Sequence, residues 1–314
     1  MANDSTQSRA GFLYAVAAYG AWGLVPLYFN SVACPPKEIV AHRVLWSALL
    51  LGVILTLARR WPVVVAVVRN RRTLLMLLVS AYLVAGNWYV YIYSTTSGQI
   101  TQASLGYFLL PLVNAFAGVA VFKERLRTTQ AIALALAGCG VLYMAVSIGA
   151  FPWISMTLAV SFALYGVVRK MTPVDGVVGL GIETALLAPT AVVLLAVIGQ
   201  SDAGLAFGHG GRRLDVLIAL SGVVTTFPLV CFAQAVRRLP LISLGFLQFL
   251  SPSLQLVVAV TVYDEEFRDR QAISFGLIWL GLAVFAADGI RAVRAGRAIV
   301  EEEPEPRLAE ANAE

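Results

Sequence analysis

Ten apolar runs dominate this chain, at residues 11–30, 37–58, 73–93, 101–122, 128–146, 152–168, 176–198, 215–236, 241–263 and 271–288. Each is close to the roughly 20 residues that an α-helix needs to cross a hydrocarbon layer about 30 Å thick. Lipid offers no partner to a backbone N–H or C=O, so a run that enters it must satisfy its own polar groups as a helix. With 59% hydrophobic and 13% charged residues, the 314-residue chain is too apolar for a soluble two-domain enzyme. The expected fold class is all-α, a polytopic membrane protein with ten transmembrane helices. The first run carries Trp22, Pro26 and Tyr28 and lacks a small-residue cleavage site, so it reads as a helix and not as a cleaved signal.

Charge sets the expected topology. Placing the N-terminus inside puts 16 Lys and Arg in the internal loops and tail junction, Arg169 and Lys170 among them, against five in the external loops. Positive loops stay cytoplasmic, so both termini are expected inside, with Arg212-Arg213 a local exception. The isoelectric point near 9.2 then reports membrane anchoring and no nucleic-acid partner. Cys34, Cys139 and Cys231 are isolated and odd in number, which implies neither a disulfide nor a metal site. The acidic, Pro-containing end reads as a disordered cytoplasmic tail.

The runs also repeat. Ser104-Leu105-Gly106, Pro111, Glu124 and Gln130-Ala131-Ile132 recur as Ser243-Leu244-Gly245, Pro252, Glu265 and Gln271-Ala272-Ile273. Four residues separate Gly106 from Pro111 and six separate Gly245 from Pro252, so the second copy needs an insertion. Tyr19-Gly20-Ala21-Trp22-Gly23 matches Phe162-Ala163-Leu164-Tyr165-Gly166, and His42-Arg43 falls opposite Glu183-Thr184. Net positive charge closes the first copy at residues 123–127 and net negative charge closes the second at 264–270. Five helices per copy is an odd number, so the second copy must enter the membrane from the opposite side. The expected units are a cytoplasmic segment at 1–10, a first five-helix repeat at 11–146, a second at 152–288 and a cytoplasmic tail at 289–314. Inverted repeats are an architecture of secondary transporters, with the site between the halves near the membrane midplane.

From residue 11 to 288 the chain resembles the RarD group of EamA transporters, in the drug/metabolite transporter superfamily. The residues that carry the likeness are 18–28 (AYGAWGLVPLY), 38–47 (EIVAHRVLWS), Gly86-Asn87-Trp88, 103–108 (ASLGYF), 111–114 (PLVN), 161–166 (SFALYG) and 239–245 (LPLISLG). The resemblance implies a ten-helix inner-membrane permease with a central cavity, moving metabolites or drugs by alternating access, with export as its direction. One departure is Asp264-Glu265-Glu266-Phe267, where the family often has a Gly-Glu-Pro-like turn.

Among candidate site residues Glu183 stands first, because a charge at the centre of a span costs roughly 2.5–3.5 kcal/mol on insertion scales. It reads either as a coupling carboxylate that exchanges protons between transport states or as a fixed ion-pair or capping partner. Arg43 can attract an anionic substrate group and His42 can titrate near neutral pH; alternatively both lock to Glu38, one turn away. An Arg43–Glu183 pair that forms in one state and breaks in the other is a further expectation. Tyr19, Trp22, Asn87, Trp88, Tyr91, Tyr107, Asn114 and Tyr165 lie inside spans and could line a cavity, with Asn87 and Tyr91 on one helix face. Their alternative uses are interhelical hydrogen bonds for Asn87 and Asn114 and interfacial-belt placement for Tyr91 and its neighbours Tyr89 and Tyr93. Pro111 and Pro252 are hinge candidates. Glu124 reads as a helix-end capping and topology charge.

The expected partners are a small-molecule substrate, the bilayer and protons, with no cofactor and no metal. An enzyme is disfavoured: there is no His-Glu-x-x-His or Gly-x-Ser-x-Gly, and His209, the other histidine, sits in a Gly-rich connection. A channel would need charge rings or a filter loop, which the sequence lacks.

Overall fold

The computed structural model describes residues 2–29, 31–96, 100–148, 153–201, 204–262 and 269–301. Among them are twelve helices and no strand: α1 (Ala2–Phe29), α2 (Pro36–Leu57), α3 (Trp61–Arg69), α4 (Arg71–Thr96), α5 (Ile100–Phe122), α6 (Thr128–Ile148), α7 (Trp153–Met171), α8 (Gly176–Gly199), α9 (Arg212–Val236), α10 (Leu241–Gln248), α11 (Leu250–Val262) and α12 (Asp269–Glu301). Seven of these, α1, α2, α4, α6, α7, α8 and α9, are long and apolar enough to cross a membrane, and shorter apolar stretches run through Gly106–Phe122 of α5 and Ala272–Asp288 of α12. This is a polytopic membrane protein. Residues 263–268, which hold Asp264-Glu265-Glu266-Phe267, and residues 302–314 of the expected tail at 289–314 lie outside the described residues.

Three departures from the sequence expectation have local causes. The run at 241–263, read as one span, is two helices, α10 and α11, with Phe249 between them. Pro252 has no N–H for the Gln248 carbonyl four residues back, and its ring crowds that carbonyl, so α10 ends at Gln248. The break sits inside the stretch that needs an insertion relative to the first copy. The second departure is α3, nine residues of mostly valine with Pro62 in its first turn, too short to cross. The third is α7, which continues to Met171 and so takes Arg169 into the helix.

Packing joins early helices to late ones. Helix α1 lies against α9 and α11, α4 against α7 and α8, α5 against α7 and α10, α2 against α8 and α9, and α6 against α12. At the last contact a methyl group on Gly140 would sit 2.7 Å from the Ser274 carbonyl oxygen, and one on Gly281 would sit 2.7 Å from the Ala133 carbonyl oxygen. Both glycines let backbones approach more closely than any side chain would allow. The largest core cluster is centred on aromatic rings: Phe162 meets Trp22 edge-on at 5.5 Å and Phe232 at 5.2 Å, and Tyr165 stacks on Phe232 at 5.9 Å.

A glutamate organises each end of the bundle. At one end the Glu38 carboxylate accepts hydrogen bonds from the backbone N–H groups of Ala206 (3.0 Å) and Phe207 (2.9 Å) in the α8–α9 connection. At the other, Glu124 accepts from Leu241 (2.9 Å) and Ile242 (3.1 Å), the first amides of α10, which have no partner within their own helix. Lys170 joins this second end, with Nζ 3.1 Å from Glu124 and donating to the Leu239 carbonyl at 3.0 Å. The Glu124 side chain is 13% exposed, so it serves as a part-buried cap and not as a freely solvated loop charge.

Candidate functional site

Between these ends lies a cavity of about 90 Å³, bordered by α1, α2, α4, α5, α7, α10 and α11. Tyr19, Trp22, Arg43, Asn87, Trp88, Tyr91 and Tyr107 all border it, and so do Pro26, Phe29, Phe162, Gln248, Ser251, Pro252 and Gln255. Its volume is below the roughly 300–1,000 Å³ of drug-sized ligand sites, so a large ligand would require the helices to part. Pro26 leaves the Trp22 carbonyl without its helical donor, and Gln255 of α11 supplies one at 3.2 Å. The side chain that repairs this gap in α1 thus also lines the cavity.

Arg43 enters the cavity and does not snorkel to the surface. Its Nε donates to Thr225 Oγ1 at 2.7 Å, and its guanidinium lies 4.7 Å from the Trp88 ring and 5.4 Å from the Phe29 ring. Asn87 is committed elsewhere: its amide donates to the Leu158 carbonyl at 2.8 Å and to Ser161 at 2.9 Å, tying α4 to α7. Tyr91 and Tyr107 meet edge to face at 5.8 Å. The Tyr19 hydroxyl is buried without a hydrogen-bond partner.

Other candidates from the sequence stand apart from this cavity. Glu183 is 1% exposed and sits between α4, α7 and α8, where it accepts a short hydrogen bond from Ser80 and lies 3.5 Å from Arg169 Nη1. Tyr165 lies beside Glu183, without a hydrogen bond of good geometry. The Arg43–Glu183 pair, expected in one transport state and broken in the other, is not formed in this structure; each has other partners, because α2 turns Arg43 toward α9 while α8 turns Glu183 toward α7. His42 also misses the cavity: its Nε2 is 3.7 Å from Glu38, and its ring packs on Phe207 at 4.8 Å. Asn114 donates to Gln248 at 2.7 Å, bracing α5 against α10 from behind the cavity wall. Pro111 lies inside an unbroken α5, whereas Pro252 stands at the break and borders the cavity.

Residues 9–146 match the sequence profile of the EamA-like transporter family. An "Uncharacterized transporter" of Vibrio cholerae is 42% identical over 95% of this chain and 98% of its own length. "Protein RarD" of Escherichia coli is 40% identical over 91% of this chain and 97% of its own. The chain belongs to the RarD group of the EamA-like transporter family. A solved structure described as "Crystal structure of protein" has the same fold, with a TM-score of 0.67 at 18% identity over 90% of this chain and 99% of that one.

Within this RarD-group chain, several site residues carried no sequence signal. Phe29, Gln248 and Gln255 reach the cavity through helix packing alone. Arg169 was hidden by its position: at the end of an apolar run it looks like a loop anchor, yet it is 2% exposed. The one hint was Glu183 itself, since a buried carboxylate requires a partner.

Proposed function

We propose that this RarD-group protein is a small-molecule secondary transporter, and not an enzyme or a channel. It sits in the inner (plasma) membrane with both termini cytoplasmic and works by alternating access around the Arg43 cavity. In this reading ten spans form two five-helix units of opposite sense, with α10 and α11 together making one span. The observation that carries it is the reciprocal contact of α6 and α12. The register that sets Gln130 on Gln271 also sets Gly140 on Gly281 and Ala133 on Ser274. Exchanging the units therefore turns the Gly140–Ser274 contact into the Gly281–Ala133 contact, as a two-fold axis would. Two further helix contacts exchange likewise: α5 on α7 becomes α11 on α1, and α4 on α7 becomes α9 on α1. Such repeats can rock against a site held between them.

The two glutamate caps supply the ends that would open by turns. Glu183 is held by Arg169 and Ser80, which favours a fixed structural role over proton exchange; the coupling ion is left to another group. Export follows the family resemblance.

Two measurements test the reading. The full chain in liposomes is expected to give saturable, gradient-driven solute flux; turnover without a gradient would mean an enzyme, and unitary conductance a channel. Cysteines placed at Arg125 and at His209 are expected to label from opposite faces of the membrane, and labelling from one face would end the inverted-repeat reading.

A further inference from the structure

We propose that the cavity takes a compact organic monoanion, a carboxylate on a flat apolar body, with the Arg43 guanidinium as its receptor. This rests on the transporter reading and adds the substrate class. The argument starts from charge balance. Arg169 is matched by Glu183, Lys170 by Glu124 and Arg60 by Asp175, but no ion pair among the described residues includes Arg43. A cation within a spanning helix that faces a cavity with no counter-charge is a functional feature by default, because its desolvation is otherwise unrepaid.

Geometry then selects the counter-charge. Thr225 takes only the Nε hydrogen, and the Trp88 and Phe29 rings hold the guanidinium by cation–π contact without neutralising it. The terminal Nη groups are left with donors to spare, spaced to grip two oxygens of one carboxylate. One guanidinium balances one negative charge, so a phosphate ester carrying nearly two would bring uncompensated charge into the cavity. An amine would meet like charge. Trp22, Tyr91, Tyr107 and Phe162 supply aromatic walls that suit a flat apolar body, and the unpartnered Tyr19 hydroxyl offers one further polar contact.

The test uses the purified full chain and three acids, benzoate, 3-phenylpropionate and indole-3-acetate, each beside its amide and its amine, with phenyl phosphate as a fourth arm. Binding is read by thermal shift and by quenching of tryptophan fluorescence, since Trp22 and Trp88 border the cavity. At least one acid is expected to bind about tenfold or more tightly than its amide, its amine and phenyl phosphate. Arg43→Gln should abolish that preference, and Arg43→Lys should keep part of it. Thr225→Val, which retains the cation and frees Nε, should weaken the acid several-fold and guards against misfolding of the Arg43 variants. Binding of amide, amine or phosphate as tight as the acid, no acid bound at millimolar concentration, or a preference that survives in Arg43→Gln would each overturn the proposal. Flux separates the two readings. An acid that binds without saturable flux in liposomes removes the transporter and leaves the anion site; saturable flux of an amine, equal in wild type and Arg43→Gln, removes the anion site and leaves the transporter.

Discussion

Arg169 of α7 and Glu183 of α8 form an ion pair in the interior of the bundle, 3.5 Å apart and both almost wholly buried. Neither side chain has water to fall back on, so removing one leaves the other as an unpaired buried charge. That costs roughly 3–5 kcal/mol, whereas removing both charges together costs far less. Arg169→Gln and Glu183→Gln are each expected to lower the thermal midpoint sharply, and the double variant to recover most of the loss. If the pair is structural, flux through the Glu183→Gln protein that does fold keeps its response to a pH gradient. A folded Glu183→Gln protein that had lost only this response would return Glu183 to a coupling role.

Glu124 ties the α5–α6 connection to the start of α10, and in the proposed alternating-access cycle its two amide contacts are the lock that this end would release. A neutral Gln keeps one acceptor oxygen but gives up the second and the charge that holds Lys170. Each charge-assisted hydrogen bond lost contributes about 1.5–3 kcal/mol. Glu124→Gln should therefore raise amide exchange at Leu241 and Ile242 by tenfold or more while leaving Ala206 and Phe207, at the Glu38 end, unchanged. Equal exchange in both proteins would show that the cap is not a lock.

What the sequence made legible followed from solvent. Lipid forces apolar runs into helices, so most of the helices stand close to where the runs placed them, and the family motifs pointed to a permease. Trp22, Arg43 and Tyr107 were legible as candidates because polar and aromatic residues inside a span are few, but Asn114 and Tyr165, chosen on the same ground, went to a helix brace and to core packing. The rest depends on which helices meet. Nothing local says that Gln255 repairs the gap Pro26 leaves at Trp22, or that Arg169 belongs to Glu183 and not to the loop charges. The break before Pro252 lay between the two: the mismatched spacing to Gly245 announced an irregularity, and only the proline's clash with Gln248 fixed where the helix ends.

Cys34, in the α1–α2 connection, gives a pH-dependent probe of the Glu38 end. Burial, and then the nearby Glu38 carboxylate, push its thiol up to about 12. The thiolate is the reactive form, so alkylation should be very slow at pH 8 and accelerate steeply as pH approaches that value. Glu38→Gln removes the charge contribution and should bring faster alkylation at every pH below it. A rate at pH 8 matching that of an ordinary thiol would mean that this end stands open in solution.

Gly140 and Gly281 make the sharpest test of the proposed two-fold relation, because the register that sets Gln130 on Gln271 makes them equivalent and each meets a carbonyl 2.7 Å from a notional methyl. A Cβ at either site must push α6 and α12 apart, since backbone cannot swing aside as a side chain can. Overpacking of this kind costs roughly 1–3 kcal/mol. Gly140→Ala and Gly281→Ala are thus expected to destabilise by similar amounts in thermal unfolding. The double variant should cost less than the sum, because the helices separate once for both. Gly138, where a methyl group meets open space, is the control, and Gly138→Ala should leave stability unchanged or slightly raised. A large loss at Gly140 with none at Gly281 would mean that the two halves do not meet symmetrically, and the proposed rocking mechanism would lose its axis.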